Sequence, residues 1–324
     1  MFLHLGPFQG ITDVWYRNTF QQYFPGIDKY YTPFFGGIHS LNSRHFRSDE
    51  LNPNLNDGAV LVPQLLTNSR EELERFALQC HRLGYTEINL NMGCPWPQVT
   101  NKKRGCGLMP HPAMVARMLS GLNNLPLKVS VKCRLGMHDP HEIKNLLPIF
   151  AEAGISELIL HARTGVQLYK GTANAELFGE VFSSCPINCI YNGDVFDAAD
   201  ERRLSAILPG LAGLMLGRGL LADPFLGADI KGLAVGMDKS QRAEMVKRFV
   251  ESLTEHRLRT QRHGKSIPGP MKELWWYLSH SFDEPLAVWR IIRKSTTLEE
   301  FTQNQSVVFK EFAWEGSGMA RRNA

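Results

Sequence analysis

Apolar residues gather into short runs that recur along the first two thirds of the chain: Leu3 to Pro7, Asp28 to Phe34, Ala59 to Leu65, Glu87 to Asn91, Leu127 to Cys133, Glu157 to His161, Ile187 to Asn192 and Gly213 to Gly217. Each has the length and β-rich composition of a strand. Between them lie segments such as Glu71 to Leu83, Pro112 to Leu122 and Glu142 to Ala153, whose apolar residues fall at the three- and four-residue steps of one helical face. Strand and helix alternate through eight strands, which predicts an α/β chain folded as a (β/α)8 TIM barrel. A doubly wound sheet, the structural alternative, does not normally run to eight such units.

Beyond Asp223-Pro224 the strand pattern stops, and from about Lys239 to Phe309 the periodicity is helical. The expected organisation is a barrel domain over residues 1–236, a helical bundle over 237–312 and a frayed tail over 313–324. A net charge of +4 says little until it is placed along the chain. From Lys239 to Lys294 there are twelve Lys and Arg residues, Arg262 and Lys265 among them, against six Asp and Glu. Such an excess suits a polyanionic partner, the other reading being a solvated helical face. Trp275, Trp276, Tyr277 and Trp289 stand among these charges at a spacing that fits bundle core better than a stacking platform.

With 324 residues and 43% hydrophobic content the chain can bury a large core, which excludes a disordered protein. No stretch approaches the roughly 18 apolar residues of a spanning helix, and the start lacks the charged and apolar regions of a signal peptide. A soluble cytoplasmic protein is therefore expected. Its six scattered cysteines are expected to be reduced, and no metal is expected, since Cys185 and Cys189 lack a second Cys/His pair nearby.

In a barrel the chemistry lies at the carboxyl ends of the strands. The fourth predicted strand leads into Asn91-Met92-Gly93-Cys94-Pro95 and then a basic loop, Thr100 to Gly105. A loop thiol held between glycine and proline is presented to substrate, so Cys94 is the reactive candidate, with a packing role as the other reading. Cys80, Cys133 and Cys189 read as small core residues. The fifth strand ends in Lys132-Cys133-Arg134-Leu135-Gly136, whose alternation points Lys132 and Arg134 to one face. A lysine there needs an anion, either a ligand or a barrel carboxylate. The sixth strand ends in His161-Ala162-Arg163-Thr164 and leads to Gln167, Tyr169 and Gly171, while Asn192-Gly193-Asp194 and Gly217-Arg218-Gly219 end the last two. Those last two loops are where this architecture commonly binds phosphate.

In order and spacing these five motifs resemble the tRNA-dihydrouridine synthases from about Leu5 to Phe225, and a looser similarity continues through Met271 to Glu284. The resemblance implies a flavin-dependent oxidoreductase that reduces the C5–C6 double bond of a D-loop uridine in tRNA, with FMN as cofactor, NADPH as reductant and Cys94 giving a proton to C5. It places Pro7, Phe8 and Gln9 along the flavin, Gln64 at the ring edge and Lys132 at the N1/C2 carbonyl end. His161, Asn192, Gly193, Asp194, Gly217 and Arg218 would hold the ribityl chain and phosphate. Asn91 and Tyr169 are implied for the uracil, and Arg163 is assignable to either group.

The partner would be tRNA, held by the basic helices while the target base swings out of its stack. Family membership also implies a monomer, and the C-terminal similarity leans towards position 16, with 17 and 20 open. Three departures stand out: Phe8 where the family usually has methionine, Trp96-Pro97 after Gly-Cys-Pro where a small residue is common, and Cys106, read as packing, where another small residue is usual. The rival functions are a small-molecule FMN barrel reductase, which would not require basic helices, and a non-catalytic tRNA-binding protein, which would not retain flavin.

Overall fold

The computed structural model describes residues 1–56, 58–260 and 269–316. Nine strands form one sheet in the order Leu61–Val62, Lys29–Tyr31, Phe2–Leu5, Gly213–Leu216, Cys189–Asn192, Leu158–Thr164, Lys128–Gly136, Glu87–Met92 and Gln64–Leu65. The described pairings are parallel. The two ends of that order are halves of a single run broken at Pro63. Proline has no N–H to give the ladder, but its carbonyl still accepts from the Asn89 amide at 2.8 Å. Counted once, the halves make eight strands whose sheet closes on itself, the TIM barrel that the sequence predicts.

Strands covered on both faces read as near-continuous apolar runs, and Leu158–Thr164 is buried along its whole length. Helices form where the three- and four-residue steps place them, at Arg70–Arg82, Pro112–Leu119 and Glu142–Glu152. The first is opened by Ser69, whose side chain accepts from the Glu72 amide at 3.2 Å, and it buries the stripe Leu73, Phe76, Ala77 and Cys80.

The chain divides into two compact units. The first comprises Met1–Pro7, Asp28–Asp194 and Arg203–Met215 and carries the barrel sheet. The second comprises Phe8–Ile27, Val195–Arg202 and the chain from Leu216 onward. In the second, helix Val14–Tyr23 packs on helix Lys239–Thr260 through Tyr16, Phe20 and Phe249, and Arg257 donates to the Ile11 carbonyl at 2.6 Å and to Asp13 at 3.0 Å. Helices Gly269–Leu278, Pro285–Lys294 and Leu298–Glu311 follow, with Trp275 stacked on Phe282 and Phe309 edge-on to both. The last strand, Gly213–Leu216, ends ahead of the expected boundary at residue 236. Contacts instead group Phe8–Ile27 with the later helices, because its aromatic face is buried against Phe249. Arg262 and Lys265 of the basic segment, and residues 317–324 of the expected tail, lie outside the described residues. Among the described residues no helix is long and apolar enough to cross a membrane.

Candidate active site

Strand register sets the site in the barrel unit. Asn91 pairs with Lys132, Arg134 with His161, and His161 with Asn192, so these side chains leave neighbouring strands near their carboxyl ends. Beyond Met92 the chain turns, and the Asn91 side-chain oxygen accepts from the amides of Gly93 at 3.1 Å and Cys94 at 2.9 Å. The Cys94 carbonyl in turn accepts from the Cys106 amide at 3.0 Å. Gly105 makes this closure possible. It takes a left-handed φ of 55°, and a Cβ there would lie 2.6 Å from the Cys94 oxygen. Cys94 is half-buried, and burial pushes its thiol up against the opposing pull of the Trp96 amide, Arg134 and Lys132. It keeps its proton at neutral pH. Cys106 is fully buried, its thiol donating to the Gly136 carbonyl at 3.3 Å and pushed up to about 12 by burial.

Behind Asn91 a chain of amides crosses the barrel interior. Asn91 donates to Gln64 at 2.8 Å, Gln64 to Asn89 at 2.8 Å, Asn89 to Ser130 at 3.0 Å, and Ser130 to Glu87 at 2.7 Å. This fixes which way each amide points, since every oxygen and nitrogen in the series has a defined role. Asn89 and Ser130 were not among the candidate residues. Their signal was the alternation in Glu87-Ile88-Asn89-Leu90-Asn91 and Ser130-Val131-Lys132, which puts a polar residue at every second position.

Lys132 is the half-buried cation of the site, and its ammonium donates to the Asn192 side-chain oxygen at 3.0 Å. Asn192 is held by its own donation to the Met215 carbonyl at 2.8 Å. No carboxylate among the described residues pairs with Lys132, and burial, with Arg134 adding to it, pushes the ammonium down to about 8. The ion-pair reading of this lysine finds no carboxylate among the described residues, which leaves the reading in which its anion is a ligand. Arg134 is buried and spans two loops, donating to the carbonyls of Gly93 at 3.0 Å, Thr164 at 2.9 Å and Leu168 at 2.7 Å.

The buried Arg163 and the half-buried Asp194 form a two-pronged ion pair at 3.0 and 2.6 Å, and Asp194 also accepts from the Ala173 amide at 2.9 Å. Asp194 thus holds the loop after the sixth strand. The His161 ring lies 6.1 Å from the ring of Tyr169, which is 45% exposed. A Cβ on Gly193 would meet the Tyr191 hydroxyl at 2.3 Å, so a side chain there would have to displace the Tyr191 ring.

The model of the dihydrouridine synthase (Dus) family matches residues 4–313. The chain belongs to the dihydrouridine synthase family. Members are flavin-dependent oxidoreductases acting on tRNA uridine, and this chain is an enzyme of that class. It is similar to the tRNA-dihydrouridine(16) synthase of Vibrio cholerae serotype O1, 28% identical over 305 residues that cover 91% of this chain and 92% of that protein. A protein of the same name from Cupriavidus necator is 33% identical over 196 residues, 60% of this chain and 61% of its own length. The probable tRNA-dihydrouridine synthase of Staphylococcus aureus strain Mu50 is 29% identical over 237 residues, 69% and 70% of the two chains. Among solved structures, a morphinone reductase variant in complex with tetrahydroNAD has a TM-score of 0.51 at 9% identity, covering 74% of this chain and 89% of that one. That likeness is one of fold.

Other residues that the Dus resemblance singles out fall in the second unit. Pro7 closes the first segment of the barrel unit, and with Phe8 the second unit begins. The Phe8 amide donates to the Thr12 hydroxyl at 2.8 Å, its ring stands edge-on to Tyr277 at 5.8 Å, and Gln9 is exposed. Gly217 precedes the short helix Arg218–Ala222, and the Arg218 guanidinium lies 5.7 Å from the centre of the Phe196 ring. Much of the basic excess is compensated internally: Arg242 with Asp229, Arg248 with Glu244, Arg257 with Asp13 and Arg259 with Glu255. Lys247, Arg290, Arg293 and Lys294 make no ion pair among the described residues, and three of these share helix Pro285–Lys294. Trp275 is core, whereas Trp276 is 38% exposed and stands edge-to-face with Trp289 at 5.3 Å.

Proposed function

We propose that this chain is a tRNA-dihydrouridine synthase that reduces the C5–C6 double bond of the D-loop uridine at position 16, using FMN and NADPH. The observation that carries the reading is a pairing of opposites near the carboxyl ends of adjacent strands: a neutral thiol in the turn at Cys94 and, at Lys132, an ammonium that no carboxylate among the described residues pairs with. An unpaired cation at a barrel mouth fits a ligand with an anionic edge, as the flavin ring has. Bound FMN would supply the reducing equivalents, renewed from NADPH.

Cys94 then acts as general acid. Reduction at C6 leaves charge at C5, and a protonated thiol held by the Asn91 turn delivers the proton there. Lys132, fixed by Asn192, would face the pyrimidine end of the flavin, and His161, Asn192 and Gly193 would serve its ribityl chain and phosphate. For Phe8, Gln9, Gly217 and Arg218 the same assignment rests on the resemblance alone. Gln64 and Asp194 are engaged within the protein, which suits holding the amide chain and the Arg163 loop in place. Asn91 and Tyr169 would face the uracil, an assignment that rests on the resemblance. The names of the V. cholerae and C. necator relatives favour position 16. The proposal extends to a monomer, as the resemblance suggests, and to a cytoplasmic, metal-free enzyme, as the scattered cysteines suggest.

Mapping dihydrouridine in tRNA from cells with and without the gene tests this directly. Loss confined to position 16 is the expected result. An unchanged map would overturn it, and loss at 17 or 20 would move the site.

A further inference from the structure

We infer that the rim of the barrel beside Cys94 is a contact surface for single-stranded RNA, on which Trp96 stacks against a base flanking the target uridine while Lys102 and Lys103 hold phosphates. This rests on the proposed action on tRNA and adds a binding surface to it.

Trp96 is 70% exposed and has neither a ring partner nor a side-chain hydrogen bond among the described residues. Large aromatics normally bury most of their surface, so one presented this openly calls for a partner. Its backbone is firmly held: the Trp96 carbonyl accepts from the amides of Val99 at 2.8 Å and Thr100 at 3.0 Å, with Pro97 opening that turn. The indole therefore stands on an ordered base two residues from the acid.

Charge says what kind of partner fits. From Gly93 to His111 the loop carries Lys102, Lys103 and Arg104 and no Asp or Glu. Arg104 is committed to Asn68 at 3.3 Å and Glu72 at 3.7 Å, whereas Lys102 and Lys103 are exposed and make no ion pair among the described residues. On the other side of the Arg134 clamp, the loop from Gly165 to Ala173 is likewise free of acids and exposes Tyr169 and Lys170. Among the described residues, Lys103 and Leu168, one on each loop, are the non-glycine residues with left-handed φ, at 51° and 52°. Single exposed aromatics among unpaired lysines match a strand of nucleotides, whose bases stack on rings and whose phosphates take the cations. A base that leaves its stack also uncovers its neighbour, and an indole at the rim offers that neighbour a new face.

The test titrates the full-length protein with an unmodified tRNA transcript and, separately, with single-stranded oligouridylate. Trp96→Ala is expected to raise the tRNA Kd about tenfold, as loss of one stacked base does, and Trp96→Phe to recover most of it. Oligouridylate should quench tryptophan emission in the wild type and much less in Trp96→Phe. Reversing both lysines, Lys102→Glu with Lys103→Glu, should flatten the salt dependence of log Kd by about 1.5. If Trp96→Ala binds the transcript like the wild type while dihydrouridine still forms, the rim inference fails and the proposed function stands. If Trp96-dependent quenching occurs but no tRNA is ever reduced, the function fails and the RNA surface stands. A wild type that neither binds nor reduces tRNA ends both.

Discussion

Lys29 and Lys132 stand on strands of the same barrel, yet Lys29 is clasped by Glu87 at 3.1 Å and Glu157 at 3.2 Å, whereas Lys132, among the described residues, meets only the side-chain oxygen of Asn192. Burial pushes both ammonium groups down. At Lys29 the two carboxylates outweigh it and raise the group above its ordinary value, while at Lys132 Arg134 adds to the burial and the group falls to about 8. One end of the barrel interior is thus electrically closed, and the other holds a charge in reserve. Uncompensated charge in a fold lowers its stability, so it persists where a ligand or reaction uses it. The contrast predicts that substitutions at the Cys94 and Lys132 end change function, and those around Lys29 change stability.

The largest effect belongs to Cys94→Ala. Removing a general acid typically lowers rates by a hundredfold or more, so dihydrouridine formation on a tRNA transcript should fall by about that factor or further. Flavin absorbance of the purified variant should persist, because only proton delivery is removed. Full turnover in the variant would place the acid elsewhere. Next comes Lys29→Met, which strands Glu87 and Glu157 together, both less than one-sixth exposed. Stranding such a pair destabilises by about 3 kcal/mol, read as a lower urea midpoint. A midpoint within error of wild type would show that solvent, rather than Lys29, satisfies those carboxylates.

Lys132→Met should do the reverse. The folded-state value of about 8 lies below the ordinary 10.5, so at pH 7 both states hold the proton and the folded state bears the full penalty of the buried charge. Between about pH 8 and 10.5 the unfolded chain still holds a proton that the folded one has released, so wild-type stability rises with pH across that window. The flavin-free Met variant should therefore be more stable than wild type at pH 7, by up to about 3 kcal/mol, with the difference shrinking towards pH 10. The same variant should retain flavin poorly on dilution. A variant that is less stable at pH 7 and equally yellow would dissolve the contrast between the two lysines.

Local pattern carries the barrel's strands and helices and the Cys94 turn, because strand alternation and the Gly93-Cys94-Pro95 sequence are readable within a few residues. Contacts between distant positions are not. Arg163, which the resemblance leaves open to either group, and Asp194, which it gives to the cofactor, stand 31 residues apart and meet as an ion pair. Arg134 reads as a companion of Lys132, yet it spends its guanidinium on the carbonyls of two loops whose approach only the closed sheet creates. The break at Pro63 is hidden for a different reason: the run Ala59 to Leu65 looks unbroken in hydropathy, and only the missing N–H divides it.

The smallest predicted effect tests whether the two ends communicate. Ser130 is the joint between them, accepting from Asn89 at 3.0 Å and donating to Glu87 at 2.7 Å, and Glu87 is itself a partner of Lys29. Ser130→Ala should cost about 1 kcal/mol, the usual loss for one hydroxyl with buried partners. If the amide chain also positions the acid, freeing Asn89 should loosen Gln64 and then Asn91, and with Asn91 the turn that presents Cys94. The alkylation rate of Cys94 would then rise in the variant at pH 7, as a half-buried neutral thiol gains solvent. An unchanged rate beside the expected loss of stability would mean that the chain fills the barrel without steering the thiol, and that the two ends are independent.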